Sequence, residues 1–388
     1  MKHIFPYSRQ SVDKQDIKAV VKTLKSSTIA RGSKISEFEK KISKFVGAKY
    51  SVAVNSATSG LHISCLALDL KKGDLVWTVP NTFVASANAA LYCGAKIDFV
   101  DIDHLTGNID VNLLDKKLKN SKKKPNVVIP VHFAGQPTDQ ERIFKLSKKY
   151  GFKVIEDASH SLGAKRYGNK VGNCKFSDLT VFSFHPVKII TTGEGGIVTT
   201  NDKKLYEKLN IYRNHGVTKK LNMMKVKNKS KWYYEQLFLG YNYWISDINA
   251  SLGISQLKKV SKFVSKRNLI AKIYNHHLKN LPILLPKIDK NNLSSFHLYV
   301  IKLTEKNKIK YNKIFKSLLS ENINVNLHYL PVHLHPYYKK LGFKKGDFPN
   351  SELHASTAIS IPIYFDLKKK NQIMIIKKIK RIIKKYVF

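Results

Sequence analysis

The sequence predicts an α/β fold with a largely parallel sheet covered by helices, followed by a smaller α+β domain. Short apolar runs alternate with helical patterns through the first two thirds of the chain. Strands separated by helices in this way are typical of parallel sheets with both faces buried. At 388 residues the chain is long enough for two cores, and we expect residues 1–250 to form the large domain and residues 251–388 the small one.

Seven segments of the large domain have the length and apolar character of buried strands. They are residues 51–54, 75–79, 96–100, 126–131, 152–156, 179–184 and 197–200. Helical patterns between them cover residues 60–68, 84–92, 110–118 and 141–150. We therefore expect a mostly parallel seven-stranded sheet flanked by helices, with ligands gathered beyond the carboxyl ends of its strands.

The last part of the chain predicts a different arrangement. Residues 217–231 are rich in lysine without an apolar period, which predicts a mobile surface loop, and a long helix is expected over residues 247–278. Strands are predicted at residues 297–303 and 324–327. One apolar stripe runs along a helix in the tail and consists of Ile375, Ile376, Ile379, Ile382, Ile383 and Tyr386. A basic amphipathic helix can lie on a membrane surface, but we expect this one to pack on its own domain.

Composition limits the classes of partner. The 69 basic and 27 acidic residues give a formal net charge of +42. Such a charge is compatible with three classes of partner: nucleic acid, anionic membranes and anionic small molecules. Lysines greatly outnumber arginines and are spread over most predicted helices and loops, whereas nucleic-acid readers favour arginine at bidentate contacts. We therefore predict no nucleic-acid partner and keep an acidic small-molecule substrate as an interpretation of the charge.

The chain has no run of 18 or more apolar residues, so no membrane span is predicted. Its first residues lack the apolar stretch of a signal peptide, which predicts a cytoplasmic protein. Cys65, Cys93 and Cys174 are scattered without metal or disulfide spacing. We expect them to be small buried residues, and we predict no metal site.

Lys188 and Asp157 are the strongest candidates for chemistry. Each follows a predicted strand, and Lys188 lies 31 positions after Asp157. A lysine amine can form a Schiff base with the aldehyde of pyridoxal phosphate (PLP), and a carboxylate can keep the ring nitrogen protonated so that the ring accepts electrons. Alone, the aspartate could cap a helix or bind a metal, and one lysine in so basic a chain means little. Together they predict a PLP site.

Small hydroxyl residues and glycines accompany this pair. The segment Asn-Ser-Ala-Thr-Ser-Gly at residues 55–60 follows a strand and opens a helix, whose free N–H groups can seat a phosphate. Ser183 comes shortly before the lysine and would offer its hydroxyl group to the same phosphate. Gly193, Gly195 and Gly196 supply a tight turn into the next strand.

Two aromatic residues are candidates for contacts with the cofactor ring. Phe83 could lie against the ring by offset stacking, although a core phenylalanine at a helix start is the better interpretation on spacing alone. His160 could pack over the ring or cap the loop that follows Asp157.

At these positions the chain closely resembles the DegT/DnrJ/EryC1/StrS group of sugar aminotransferases, with the motifs in the same order from about Phe5 to the C-terminus. The matching segments begin at Asn55, Thr82, Glu156, Phe182, Thr191 and Gly240. The group consists of fold-type I PLP-dependent transferases that aminate keto groups on nucleotide-linked sugars. The resemblance implies that Lys188 carries the cofactor and that Asp157 pairs with its ring nitrogen.

The resemblance also implies the remaining cofactor contacts. Phe83 and His160 would contact the faces of the ring. Asn242 would reach the phosphate of the neighbouring subunit's cofactor, so a homodimer with shared active sites is implied. Within one subunit the phosphate would be held by Ser56, Ala57, Thr58 and Ser183.

Three segments, at residues 5–8, 183–192 and 325–333, most resemble the branch of this family that serves pseudaminic acid biosynthesis. The resemblance implies transfer of an amino group from L-glutamate to C4 of a UDP-linked 4-keto-6-deoxy-N-acetylhexosamine. It places Tyr7, Arg31 and His328 at the substrate. For the glutamate carboxylate, Arg213 is a candidate partner, with a surface or packing role as the alternative.

The chain departs from the family pattern at three positions. Ile189 stands where the branch often has proline, Gly193 where alanine is usual, and Arg31 where a glutamine often precedes the glycine. The change at Arg31 leaves the sugar open, with other amino positions and dTDP or GDP sugars as alternatives. A sugar dehydratase of the same group would carry histidine in place of Lys188, and a non-catalytic PLP-binding regulator is disfavoured by the intact pair of Lys188 and Asp157.

Overall fold

Residues 4–226 and 230–387, which the computed structural model describes, form thirteen α-helices and fifteen β-strands. The helices are α1 (Lys14–Leu24), α2 (Ser33–Val46), α3 (Ala57–Ala67), α4 (Ala85–Tyr92), α5 (Val111–Asn120), α6 (Gln140–Tyr150), α7 (Lys203–Tyr212), α8 (Asp247–Leu257), α9 (Val260–Leu278), α10 (Tyr311–Ser320), α11 (Pro336–Lys339), α12 (Pro349–Thr357) and α13 (Lys369–Val387). The strands are β1 (Tyr50–Val54), β2 (Leu75–Thr78), β3 (Lys96–Phe99), β4 (Val127–Val128), β5 (Lys153–Asp157), β6 (Lys165–Arg166), β7 (Asn169–Lys170), β8 (Leu179–Ser183), β9 (Gly196–Thr200), β10 (Val217–Thr218), β11 (Glu235–Gln236), β12 (Ile283–Leu284), β13 (Asn292–Leu293), β14 (Tyr299–Leu303) and β15 (Ala358–Ile361).

The large sheet consists of the seven strands predicted from the sequence. Its order is β1-β9-β8-β5-β4-β2-β3, and the neighbours from β8 to β3 run parallel. Strand β9 is antiparallel to both β8 and β1. The prediction of a mostly parallel seven-stranded sheet flanked by helices is therefore confirmed.

Apolar cores cover both faces of this sheet. Val52 and Val54 of β1 pack into the core that contains α3 and α4, whereas Ala53 between them packs into the core that contains α2 and α8. All three are fully buried. Successive side chains of a strand point to opposite faces, so a strand covered on both faces must be apolar along its whole length.

A separate core lies in the last part of the chain. Strands β12, β14 and β15 form an antiparallel sheet, and its core joins residues of α9, α10 and α13 with Phe5 from the N-terminal end. The five isoleucines of the tail stripe are buried in this core and Tyr386 is partly buried against it, so the expectation that α13 packs on the protein is confirmed. Among the described residues, no helix is long and apolar enough to cross a membrane. The division of the chain near residue 250 stays a prediction, and that residue lies within α8.

Two predicted elements of the last part are wrong. The helix expected over residues 247–278 is two helices, α8 and α9, separated at Lys258 and Lys259. Residues 324–327 do not form a strand. Instead, Ile323 and Asn326 make single bridges to Phe5 and Ser360. These bridges join residues far apart in sequence, which a local apolar pattern cannot reveal.

Two further findings concern segments outside the predicted helices and strands, and a third concerns the cysteines. Helices α1, α2 and α7 were not predicted, although Asp13 and Asp16 form a capping box at the start of α1. The predicted loop at residues 217–231 begins with β10, which pairs with β11 in a short hairpin. Residues 227–229 of that loop lie outside the described residues. All three cysteines are free thiols; Cys65 and Cys174 are buried and Cys93 is partly buried.

Candidate active site

A cavity of about 520 Å³ lies at the carboxyl end of the large sheet. The loops that follow β2, β5 and β8 line one side of it, and the start of α3 lies beside them. Residues 326–329 and His297 close the cavity from the last part of the chain. The predicted residues that it brings together are Tyr7, Ser56, Ala57, Thr58, Phe83, Asp157, His160, Ser183, Lys188 and His328.

Lys188 lies in a loop that returns directly into the neighbouring strand β9. The base of this loop is fixed because Phe184 donates its N–H to the Gly195 carbonyl at 2.9 Å, and Thr192 donates to the Phe184 carbonyl at 3.0 Å. Burial lowers the pKa of the Lys188 amine to about 8, against the opposing effect of the Asp157 carboxylate. The unprotonated amine, which a nucleophile requires, is therefore far more abundant near neutral pH than in an ordinary lysine.

Asp157 is the last residue of β5 and is held through its backbone and its side chain. Its N–H donates to the Pro130 carbonyl at 2.9 Å, and its own carbonyl accepts from His132 at 3.1 Å. Its carboxylate accepts hydrogen bonds from the Ser86 hydroxyl at 2.6 Å and from the Ser159 N–H at 3.1 Å. The carboxylate is therefore fixed at the floor of the cavity by two donors.

No role is predicted from the sequence for Ser86 or Thr82. Both side chains are buried, and their hydroxyl oxygens are 2.8 Å apart. Since Ser86 uses its proton on the Asp157 carboxylate, Thr82 must be the donor to Ser86. The two residues are four positions apart near the start of α4, and this spacing on a helix was the one signal available in the sequence.

The first turn of α3 forms an anion seat. The Ser56 hydroxyl accepts from the Ser59 N–H at 3.1 Å and so caps this helix. Among the described residues, the N–H groups of Ala57 and Thr58 have no hydrogen-bond acceptor. Free N–H groups at a helix N-terminus bind phosphate well. Because Ser56 is occupied with capping, we expect the backbone of the next two residues to supply most of this seat.

Gly196 allows this seat to lie against the sheet. A Cβ atom at this position would lie 2.6 Å from the Ala57 nitrogen and 2.7 Å from the Ser56 carbonyl group. Only glycine permits the first turn of α3 to approach β9 so closely. The residues of the cavity therefore fit the phosphate, ring and aldehyde of PLP.

Phe83 is not a core residue. Its side chain is 60% exposed and lines the cavity, with its ring centroid 6.4 Å from that of Tyr329. The interpretation that spacing alone favoured, a core phenylalanine at the helix start, is wrong. The loop after β2 turns this side chain toward the cavity, and a spacing argument does not include that turn.

His160 is held as a neutral imidazole. The Ala134 N–H donates to its Nδ1 at 3.3 Å, and its Nε2 lies 3.0 Å from the Tyr329 hydroxyl oxygen. Burial, with the charge of Lys188, lowers the pKa of His160 well below its usual value. Since Nδ1 accepts a hydrogen bond, the proton of the neutral ring lies on Nε2 and points to Tyr329. The ring centroid of His297 lies 4.4 Å from that of His160. Neither His297 nor Tyr329 is predicted from the sequence as a site residue.

His328 and Tyr7 lie together on another wall of the cavity, with their ring centroids 5.2 Å apart. The Nδ1 atom of His328 is 2.8 Å from the Ser360 hydroxyl oxygen. Burial and the charge of Lys188 lower the pKa of His328 to about 4. This wall therefore presents polar, uncharged groups near neutral pH.

Three arginine and asparagine candidates lie elsewhere in this chain. Arg31 and Asn242 are exposed and do not line the cavity. Arg213 is buried; it binds the Glu39 carboxylate at 2.5 Å and the Ala53 carbonyl at 2.7 Å. Its guanidinium group stabilises the packing of α2 against β1, so the suggestion that Arg213 binds the glutamate donor is wrong.

The chain matches the model of the DegT/DnrJ/EryC1/StrS aminotransferase family over residues 10–380. It is 39% identical over 366 residues, 94% of each chain, to the UDP-4-amino-4,6-dideoxy-N-acetyl-beta-L-altrosamine transaminase of Campylobacter jejuni. Among solved structures it is similar to Helicobacter pylori PseC, an aminotransferase of pseudoaminic acid biosynthesis, with a TM-score of 0.91, 32% identity and coverage of 99% and 100% of the two chains. The PLP form of Spr1654 from Streptococcus pneumoniae matches with a TM-score of 0.90, 28% identity and full coverage of both chains, 100%. The chain therefore belongs to the DegT/DnrJ/EryC1/StrS family of PLP-dependent aminotransferases.

Proposed function

We propose that this protein transfers the amino group of L-glutamate to C4 of a UDP-linked 4-keto-6-deoxy-N-acetylhexosamine. This is the reaction of a UDP-4-amino-4,6-dideoxy-N-acetyl-β-L-altrosamine transaminase. The observation that carries the proposal is the presence of Lys188 and the fixed carboxylate of Asp157 in one cavity, next to the anion seat at α3. The Campylobacter jejuni relative and the PseC fold support this choice of sugar.

Bound PLP supplies an aldehyde that takes up the amino group and a ring that accepts electrons. The Nζ atom of Lys188 is the base and the acid of the reaction. It takes the α-proton from the donor in the first half and returns a proton to C4 of the sugar in the second. A lowered pKa suits both tasks, because burial makes the unprotonated amine more abundant than in an ordinary lysine while the amine can still carry a proton.

The remaining residues position the reactants. Asp157, fixed by Ser86 and Ser159, holds the ring nitrogen in its protonated form. The N–H groups of Ala57 and Thr58, with the hydroxyl group of Ser183, hold the phosphate. Phe83 and His160 contact the ring.

The sugar side of the cavity is assigned to Tyr7 and His328. A neutral imidazole and a phenol can exchange hydrogen bonds with sugar hydroxyl and acetamido groups, and neither places a charge beside the reacting carbon. We propose that the protein is a cytoplasmic homodimer, in which Asn242 of the partner subunit reaches the phosphate of the cofactor.

An absorbance experiment tests this function. The purified protein is loaded with PLP, and L-glutamate is added, followed by the UDP-linked 4-keto sugar. Glutamate is expected to move the cofactor band to shorter wavelength, and the sugar is expected to restore it. A glutamate shift without recovery on the UDP sugar, but with recovery on a dTDP- or GDP-linked sugar, would overturn the proposed substrate.

A pair of lysine variants tests the role of Lys188. Lys188→Ala should abolish both absorbance changes. Lys302→Met is the matched control, because burial also lowers the pKa of the Lys302 amine to about 8 but this residue lies on β14 outside the cavity. Retention of both changes in Lys188→Ala would refute the assignment.

A further inference from the structure

The cavity has few cationic groups for the ligands that it is proposed to hold. Among the described residues that line it, Lys188 is the one lysine, and no arginine is present. Asp157 and Glu194 add two carboxylates to its walls. The proposed ligands bring the cofactor phosphate, a diphosphate and the two carboxylates of glutamate. A chain with 69 basic residues therefore leaves its most anionic ligands with a single cationic side chain.

Most arginines of the chain are already engaged. Arg166 binds three carboxylates, Arg213 binds Glu39, and Arg267 donates to three backbone carbonyl groups. Arg142 and Arg381 are paired with Asp139 and Glu321. Within the described part of the chain, Arg9 and Arg31 have no carboxylate partner. Arg9 lies over the ring of Tyr364 in the same subunit, 5.8 Å from its centroid.

The backbone around Arg31 is fixed on both sides. Ala30 bridges to Ser246, and Asp247 donates its N–H to the Ile29 carbonyl at 3.0 Å. The Asp247 carboxylate accepts from the N–H groups of Gly32 at 2.6 Å and Lys34 at 2.8 Å. Arg31 itself has a φ of 57°, in the left-handed region that a non-glycine residue rarely adopts. Such a conformation persists only where the surroundings impose it.

Trp244 supports the guanidinium group of Arg31, which lies 5.7 Å from the indole centroid. The indole is itself held: its N–H donates to the Asn214 side chain at 3.0 Å, and Arg213 lies 3.9 Å from the ring centroid. A rigid aromatic platform orients the guanidinium group and leaves its N–H donors available. Arg31 is thus an exposed cation in a prepared position.

Asn242 lies two residues before Trp244 in the chain. Tyr241 and Tyr243 stack on each other at 5.0 Å, so the alternate residues Asn242 and Trp244 face the other side of this extended segment. Both Asn242 and Arg31 are exposed. Large apolar side chains are exposed close to both residues in sequence: Ile29, near Arg31, is 48% exposed, and Leu239, near Asn242, is 75% exposed. Exposed apolar side chains of this kind are expected on a surface that a partner covers.

We propose that Arg31 acts in trans and binds an anionic group of a ligand in the cavity of the partner subunit, beside Asn242. This inference rests on the proposed function, because it requires the shared cavity of the homodimer. The guanidinium fork suits both carboxylate and phosphate oxygens. Arg31 is then a substrate- or cofactor-binding residue that supplies the cation missing from each cavity.

A mixed dimer tests the proposal. One subunit carries Lys188→Ala, the other carries Arg31→Ala, and two affinity tags isolate the heterodimer. If Arg31 acts in trans, the cavity with intact Lys188 receives an intact Arg31 from its partner, and the heterodimer recovers about half the wild-type activity. If Arg31 acts in its own subunit, the one cavity that keeps Lys188 lacks Arg31, and the heterodimer shows only about half the activity of the Arg31→Ala homodimer, which would overturn the proposal.

The homodimeric Arg31→Ala variant identifies the anion. Loss of a charge-assisted hydrogen bond should weaken one ligand by about 10- to 100-fold. The affected quantity is the PLP dissociation constant, the glutamate concentration that half-converts the cofactor band, or the KM for the nucleotide sugar. Arg31→Lys should recover part of the loss, and Arg381→Ala is the control for removal of an exposed positive charge.

The outcomes separate this inference from the proposed function. Wild-type values of all three quantities in Arg31→Ala would overturn the inference and leave the function intact. A wild-type protein that responds to glutamate but aminates no UDP sugar would overturn the substrate. In that case PLP affinity and the glutamate response of Arg31→Ala and of the heterodimer still decide the role of Arg31.

Discussion

Gly196→Ala offers a quantitative test of the anion seat. The new Cβ would lie 2.6 Å from the Ala57 nitrogen and 2.7 Å from the carbonyl carbon and oxygen of Ser56. Non-bonded carbon contacts are comfortable at about 3.5 Å, so the first turn of α3 must move by about 0.8 Å. All three contacted atoms are backbone atoms, and no rotation of a side chain relieves them. The movement displaces the N–H groups that are expected to hold the phosphate.

Two quantities should change. Overpacking of this kind lowers the free energy of unfolding by about 2–3 kcal/mol. Displacement of a seat made of charge-assisted hydrogen bonds should raise the PLP dissociation constant by about 10- to 100-fold. Chemical denaturation of the cofactor-free protein and an absorbance titration with PLP measure the two effects separately.

Gly151→Ala is the matched control. Gly151 ends α6 with a φ of 77°, and a Cβ atom there meets nothing within 4 Å. It should cost about 1 kcal/mol of backbone strain and leave PLP affinity unchanged. If Gly196→Ala bound PLP as tightly as the wild type and unfolded at the same denaturant concentration, the close packing of α3 on β9 would be refuted.

Three other predictions follow from the described contacts. Ser86→Ala should lower the free energy of unfolding by about 2 kcal/mol and reduce kcat, because the Asp157 carboxylate loses a hydrogen-bond donor. The control Ser64→Ala removes a neutral hydrogen bond to the Gly60 carbonyl, so it should lower the free energy of unfolding by about 1 kcal/mol and leave kcat unchanged. Equal kcat values in the two variants would contradict the role of Ser86. The rate at which the cofactor-free protein captures PLP should rise with pH, with a midpoint near the Lys188 pKa of about 8, and then level off, because only the unprotonated amine reacts. Stopped-flow absorbance measures this rate. A midpoint at the pKa of an ordinary lysine would contradict the effect of burial on Lys188. Arg166→Met should lower the free energy of unfolding by about 2 kcal/mol, because three partly exposed carboxylates lose their shared cation. The control Arg381→Ala removes an exposed ion pair and should lower it by less than about 0.5 kcal/mol. Equal losses in chemical denaturation at neutral pH would contradict this ranking.

The sequence predicted the large sheet well because its signals are local. A strand buried on both faces must be apolar along its length, as Val52, Ala53 and Val54 are, and the helices between strands show their own period. The tail helix was predicted correctly for the same reason. Predictions failed where a contact between distant segments replaces a local pattern, as at Asn326, which bridges to Ser360.

In the candidate site, too, the residues with local sequence signals were predicted and those that depend on distant contacts were not. Lys188 and Asp157 were predictable because each must follow a strand and because the chemistry of PLP needs both residue types. The serine that fixes Asp157 was not predictable, since the Ser86 hydroxyl meets the carboxylate across 71 positions of sequence. The exposure of Phe83 was missed as well, because it depends on the path of a loop.

By itself, the sequence determined the seven strands of the large sheet, the family, and the lysine and carboxylate of the cavity, because these depend on residue type and short-range spacing. The tertiary structure alone decided the tautomer of His160, the packing role of Arg213 and the presentation of Arg31 over Trp244. Each of these depends on which groups meet after the chain has folded. A hydrogen bond or an ion pair is fixed by distances of a few ångströms between atoms, and sequence separation carries no information about such distances.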